Sequence, residues 1–186
     1  MRLIALVFAS ALVCATAASA DTTPAPAPPP AAQNQPDCRA PEFRAFDFWI
    51  GEWDVYRTGT TTPLTGRSTI ASEDSGCVIS EHWRSQRVAF TGHSLNLYDR
   101  DTQRWRQFWV DSTGDVTHFI GGPTADGGMQ LTAAGDTDSD DETPHYTRMT
   151  FTRNADGSVR QMGDSSPDGV HWTVRYDFTY RPHVGG

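Results

Sequence analysis

Ala89-Phe90-Thr91-Gly92-His93-Ser94-Leu95-Asn96-Leu97-Tyr98, followed by Asp99-Arg100-Asp101 and then Arg104-Trp105-Arg106-Gln107-Phe108-Trp109-Val110, is the stretch whose reading decides the fold. Side chains on a strand point alternately to opposite faces, so residues two apart share a side. On the first run Phe90, Ser94, Asn96 and Tyr98 share one face, and Leu95 and Leu97 lie on the other. On the second run Trp105, Gln107 and Trp109 fall together. The polar Asp99-Arg100-Asp101 between them is turn material, so the two runs read as an antiparallel hairpin. Alternation settles which residues share a face and leaves open which face turns inward.

The same grammar repeats outward in both directions. Further candidate strands are Glu52–Thr58, Gly66–Ser72, Cys77–Arg84, Val116–Gly121, Met129–Ala133, Tyr146–Thr152, Ser158–Gly163 and Trp172–Tyr180. Asp126-Gly127-Gly128, Asn154-Ala155-Asp156-Gly157 and Pro167-Asp168-Gly169 supply short connectors. No segment carries a helix-length 3.6 period, apart from one turn at Glu42–Trp49 where Phe43, Phe46 and Trp49 are spaced by three. About ten sequential strands joined by hairpins form a meander, whose two free edges invite aggregation. Closure into an up-and-down β-barrel removes both edges, and this all-β architecture is the expected fold. A two-sheet sandwich is the alternative, but its crossovers need longer connections than most of these.

Outside that core, residues 1–20 read as a signal peptide. Arg2 provides a positive start, Leu3 to Val13 a short apolar run, and Ala18-Ser19-Ala20 a small-x-small cleavage site. The apolar run is too short to span a bilayer, which takes about 20 residues. Cys14 raises the alternative of a lipid-anchored cysteine, which Val13 in the preceding position disfavours. Residues 21–37 are rich in Pro and Ala and lack aromatic residues, so they are expected to form a disordered leader. The remaining 38–183 has the size of one domain. With Cys14 removed, Cys38 and Cys77 are the two cysteines left, and in an exported chain they read as a structural disulfide. In the chain-entropy view such a bridge contributes on the order of 3–4 kcal/mol. A periplasmic or secreted location follows.

The formal net charge is −8 and all basic charge comes from arginine, since the chain has no lysine. No basic footprint for nucleic acid is visible. The chain is expected to be monomeric, without a membrane span.

Near the domain start, Gly51-x-Trp53 opens the first strand after the helical turn. It resembles the G-x-W signature of lipocalins and the wider calycin group. That resemblance implies a Trp packed across the closed base of a barrel and covered by an Arg from the last strand, Arg181 or Arg175 here. The longer pattern F-D-F-W-I-G-E-W-D-V, G-C-V-I-x-E-x-W, G-x-S-L-N-L-Y-D and R-W-R-Q-F-W-V-D-S, with the tail W-T-V-R-Y-D-F-T-Y-R, runs from Phe46 to Arg181. It resembles a bacterial family of secreted, calycin-like domains of unknown function. The resemblance implies a fold and an exported location, and brings no reaction with it.

Catalytic readings find little support. Gly92-His93-Ser94-Leu95-Asn96 lacks the last glycine of a nucleophile elbow and sits within a strand, where the elbow cannot form. The acidic run Asp136 to Glu142 places Asp141 where a calcium loop needs Gly and Thr147 where it needs Glu, so it reads as a solvated loop. His82, His93, His118, His145, His171 and His183 make no H-x-H or H-x-x-x-H metal spacing. Some calycin-like barrels bind haem through one strand histidine, a part His171 is placed to play, but a hairpin histidine is the plainer account. No cofactor or metal is called for.

What remains is a mixture of polar and aromatic residues on strands, the composition of a ligand pocket in a barrel mouth. Glu81, Trp83, Ser94, Asn96, Gln107 and Trp109 are the expected ligand-binding residues. The expected function is noncatalytic binding of a small, partly apolar molecule. An envelope hydrolase or isomerase using Glu81 or Asp111 as general base is an alternative, as is a protein-interaction domain.

Overall fold

A computed structural model describes residues 38–133 and 145–185. The expected signal peptide, the Pro/Ala leader and the acidic run Asp136–Glu142 lie outside the described residues. Ten strands follow two short 3-10 turns, Pro41–Arg44 and Asp47–Trp49. They are β1 (Gly51–Arg57), β2 (Gly66–Glu73), β3 (Val78–Ser85), β4 (Thr91–Asp99) and β5 (Arg104–Asp111), then β6 (Val116–Pro123), β7 (Met129–Ala133), β8 (Tyr146–Arg153), β9 (Val159–Ser166) and β10 (Thr173–Pro182). A further 3-10 turn, Asp74–Gly76, joins β2 to β3.

Every neighbouring pair is antiparallel, and β10 pairs with β1, so the meander closes into a barrel. No strand in this ring has an unpaired edge, which is the physical gain of closure. The β4–β5 hairpin forms with Asn96 opposite Gln107 and Tyr98 opposite Trp105. Ser94 and Asn96 turn inward and are buried, whereas Leu95 is 51% exposed. Polar side chains thus occupy the inner face and an aliphatic one the outer.

One end of the barrel is filled. Trp49 of the turn Asp47–Trp49 and Phe46 just before it fill this end, while Phe43 of the turn Pro41–Arg44 is buried against Tyr98 at 5.1 Å. Phe46 stacks on Trp49 at 4.9 Å and meets Phe151 edge-on at 4.9 Å. Two indoles of this end find backbone acceptors: Trp53 Nε1 donates to the Trp49 carbonyl (2.9 Å) and Trp105 Nε1 to that of Glu42 (3.1 Å), whereas Trp49 Nε1 is buried without a partner among the described residues. Cys38 and Cys77 are joined, tying the segment before the plug to the start of β3.

The implied Arg cover over Trp53 is not what forms. Tyr180 points inward and packs 6.4 Å from Trp53. Strand alternation therefore turns Arg181 outward, where it lies 5.8 Å over the Tyr56 ring. Arg175 belongs to the opposite end, where it borders the cavity.

Candidate functional site

Above the plug the inward side chains no longer meet, and a cavity of about 950 Å³ opens. Glu81 and Trp83 reach it from β3, Gln107 and Trp109 from β5, and Tyr176 and Phe178 from β10. Ser94 and Asn96 do not border it. They are buried on β4 between those two strands and connect them by hydrogen bonds.

The connection runs in one direction. Gln107 Nε2 donates to Asn96 Oδ1 (2.7 Å), and Asn96 Nδ2 donates to Ser94 Oγ (3.0 Å) and to the Ile79 carbonyl (3.0 Å). Ser94 Oγ donates to Glu81 Oε2 (3.2 Å), while Ser68 Oγ from β2 donates to Glu81 Oε1 (2.9 Å). Four strands thereby converge on one carboxyl. The amide ends satisfy their own donors within this chain, as buried polar groups must.

Glu81 is 4% exposed. Its burial in the barrel raises its pKa to about 7, against the opposing pull of the Ser68 and Ser94 hydrogen bonds. Near neutral pH the group therefore exists as both acid and carboxylate. Tyr176 and Tyr180, raised by burial and by the Glu81 charge, stay neutral phenols. Tyr180 donates to Gln161 Oε1 at 2.6 Å, and Gln161 Nε2 lies 3.4 Å from the Met149 sulfur.

Asp111 has a different setting. It does not border the cavity, and it accepts hydrogen bonds from Trp109 Nε1 (3.1 Å) and from the Thr113 amide (2.8 Å) and hydroxyl. Partial burial pushes its pKa up, but these donors outweigh it and hold the carboxyl below its ordinary range. It orients the Trp109 indole and is a poor proton acceptor. His171 sits in the β9–β10 connection, exposed and bonded to Asp168 at 2.6 Å. Among the described residues no cluster of three or more His, Cys, Asp or Glu side chains could hold a metal ion.

Sequence reasoning missed Ser68, Phe119, Met149, Gln161, Tyr176 and Phe178. All but Ser68 border the cavity, and Ser68 holds Glu81. The alternation in Trp172–Tyr180 places Tyr176, Phe178 and Tyr180 on one side, a signal that could have drawn attention to β10. The partnership of Ser68 with Glu81 depends on strand register, which pairs Ser68 with Trp83 and Ile70 with Glu81. No family model matches this chain, and no curated relative is found for it.

Proposed function

We propose that this protein is an exported, lipocalin-like binding module that holds a small, partly apolar molecule inside its barrel. The observation that carries this reading is the cavity of about 950 Å³, with one end of the barrel filled and aromatic and polar groups on its walls. Ligand pockets have this size range and this mixture. Trp83, Trp109, Tyr176 and Phe178 supply apolar contact area, and Gln107 and Glu81 supply polar groups to orient the guest. The disulfide fits an oxidising compartment, and no described helix is long and apolar enough to cross a membrane. Both agree with the signal peptide expected from the sequence and with the likeness to secreted calycin-like domains, which together support export.

A second reading rests on the outer surface. Leu95, Phe108, Val110 and Val116 on β4, β5 and β6 are all exposed, from 43% to 71%. Their proximity across the β4–β5 and β5–β6 registers favours a protein-interaction role for that face.

Tryptophan fluorescence with a broad panel of lipids and metabolites tests the first reading. A panel member is expected to shift emission and raise the melting temperature, and Trp109→Ala is expected to abolish the quenching while unfolding stays cooperative. If no panel member changes the emission or the melting of the wild type, the binding reading fails.

A further inference from the structure

Two buried acids border the cavity, and the protein treats them differently. Asp164 is 4% exposed and accepts two hydrogen bonds from the Arg148 guanidinium, at 3.1 and 2.7 Å. Glu81 is equally buried and receives only the hydroxyls of Ser68 and Ser94. Among the described residues it makes no ion pair, and outside them the chain carries a single basic side chain, Arg2. A buried carboxylate without a cation is costly, so the site is built to receive either a proton or a positive charge from elsewhere.

The walls beside Glu81 favour the second. Three of its rings lie directly on glycine backbone. A Cβ added at Gly66 would fall 2.2 Å from the Trp83 ring, one at Gly92 2.2 Å from Trp109, and one at Gly163 2.2 Å from Tyr176. No other residue leaves room for these rings, which are held in place before any guest arrives. Trp83 follows Glu81 by two residues on the same face of β3. Ser94, which donates to Glu81, is the register partner of both Glu81 and Trp109. Phe178 stacks with Trp83 at 6.3 Å and with Tyr176 at 5.2 Å, continuing the wall. Aromatic faces and a carboxylate attract the same chemistry, a positive charge with an apolar body.

We propose that the cavity selects an organic cation, a protonated amine or quaternary ammonium on an apolar body, with its charge against Glu81 and the Trp83, Trp109 and Tyr176 faces. This rests on the reading of the barrel as a binding module. The remaining charged groups around the cavity do not oppose it from within. Arg148 is neutralised by Asp164, Arg175 is exposed, and His145 is exposed on the residue before β8. The groups facing Glu81 from β2, β4 and β5 are the neutral Ser68, Ser94, Asn96 and Gln107, and those from β10 are the neutral phenols of Tyr176 and Tyr180.

Because Glu81 titrates at about 7, a cation competes with a proton for it. Isothermal titration calorimetry with benzyltrimethylammonium, and with neopentylbenzene as its uncharged isostere, reads this directly. The wild type is expected to prefer the cation and to bind it about ten-fold more tightly at about pH 8 than at about pH 6. Glu81→Gln is expected to bind the cation more weakly and with no pH dependence. Equal or better binding of neopentylbenzene, or a cation affinity that stays flat or falls as pH rises, overturns the cation proposal and leaves a binding barrel standing. Binding of neither probe counts against both. The comparison of the two probes on the wild type decides the matter even if Glu81→Gln fails to fold.

Discussion

The two ends of this barrel are built from the same strands with the same alternation, yet they do opposite things. At the plugged end the inward positions are Trp53, Ile70, Ile79, Trp105, Met129 and Phe151, which pack in one buried cluster with Phe46 and Trp49. One or two pleats further along, the inward positions become Ser68, Glu81, Ser94, Asn96 and Gln107, then Trp83, Trp109 and Tyr176 around a void. Burial of the first set drives folding. The second set carries polar groups that must be hydrogen-bonded merely to be tolerated. Apolar packing is concentrated at one end and open, polar-lined space at the other. Natural proteins pay for function in this way, with sites that are less stable than they could be.

The largest effect is expected at the plug. Phe46 is fully buried and touches Trp49, Trp105 and Phe151, so Phe46→Ala removes a ring that nothing nearby can replace. A loss of about 3–5 kcal/mol is expected in denaturant unfolding. A loss below about 1 kcal/mol would mean that the plug is not the stabilising end.

A change of opposite sign is expected in the cavity. The folded pKa of Glu81 is raised from 4.5 to about 7, so the native state retains a proton that the unfolded state gives up. The resulting stability is whole below 4.5 and is lost as the pH rises through about 7. Glu81→Gln keeps a neutral side chain at every pH. It is expected to match the wild type in acid and to exceed it by up to about 3 kcal/mol above neutrality. Parallel pH–stability curves for the two proteins would show that Glu81 does not titrate in this window.

The smallest effect concerns the seats beneath the rings. Gly92→Ala places a methyl group 2.2 Å from the Trp109 indole, which must move because the backbone beneath it is held by β3 and β5. A cost of about 1–3 kcal/mol is expected, with a shift in tryptophan emission. An unchanged emission spectrum would mean that Gly92 does not position the ring.

The fold was largely legible in the residues. The alternating runs and the connectors at Asp99, Asp126, Asn154 and Pro167 mark the strands and their hairpins to within a few positions, because period and turn chemistry are local properties. The helical turn at Glu42–Trp49 forms as two 3-10 turns broken at Ala45 and Phe46, where the Phe46 backbone leaves the helical region (φ -110°, ψ 6°). The site was less legible. Alternation paired Ser94 with Asn96 and Leu95 with Leu97, but only barrel closure decides that the polar pair faces in. The glycine seats are invisible along the chain: Gly66 and Trp83 are 17 positions apart, and their contact follows from the β2–β3 register. Glu81 is legible as a polar residue on an aromatic-bearing strand, while its lack of a cationic partner is visible only in three dimensions.

Native mass spectrometry of the protein, purified from its own source without denaturation, tests the central claim most directly. A fraction of the molecules is expected to carry a small organic adduct, which dissociates on mild activation and is absent from a Trp109→Ala preparation. A single species at the bare polypeptide mass, retained across gentle conditions and unchanged by Trp109→Ala, would contradict the claim that this cavity is a binding site.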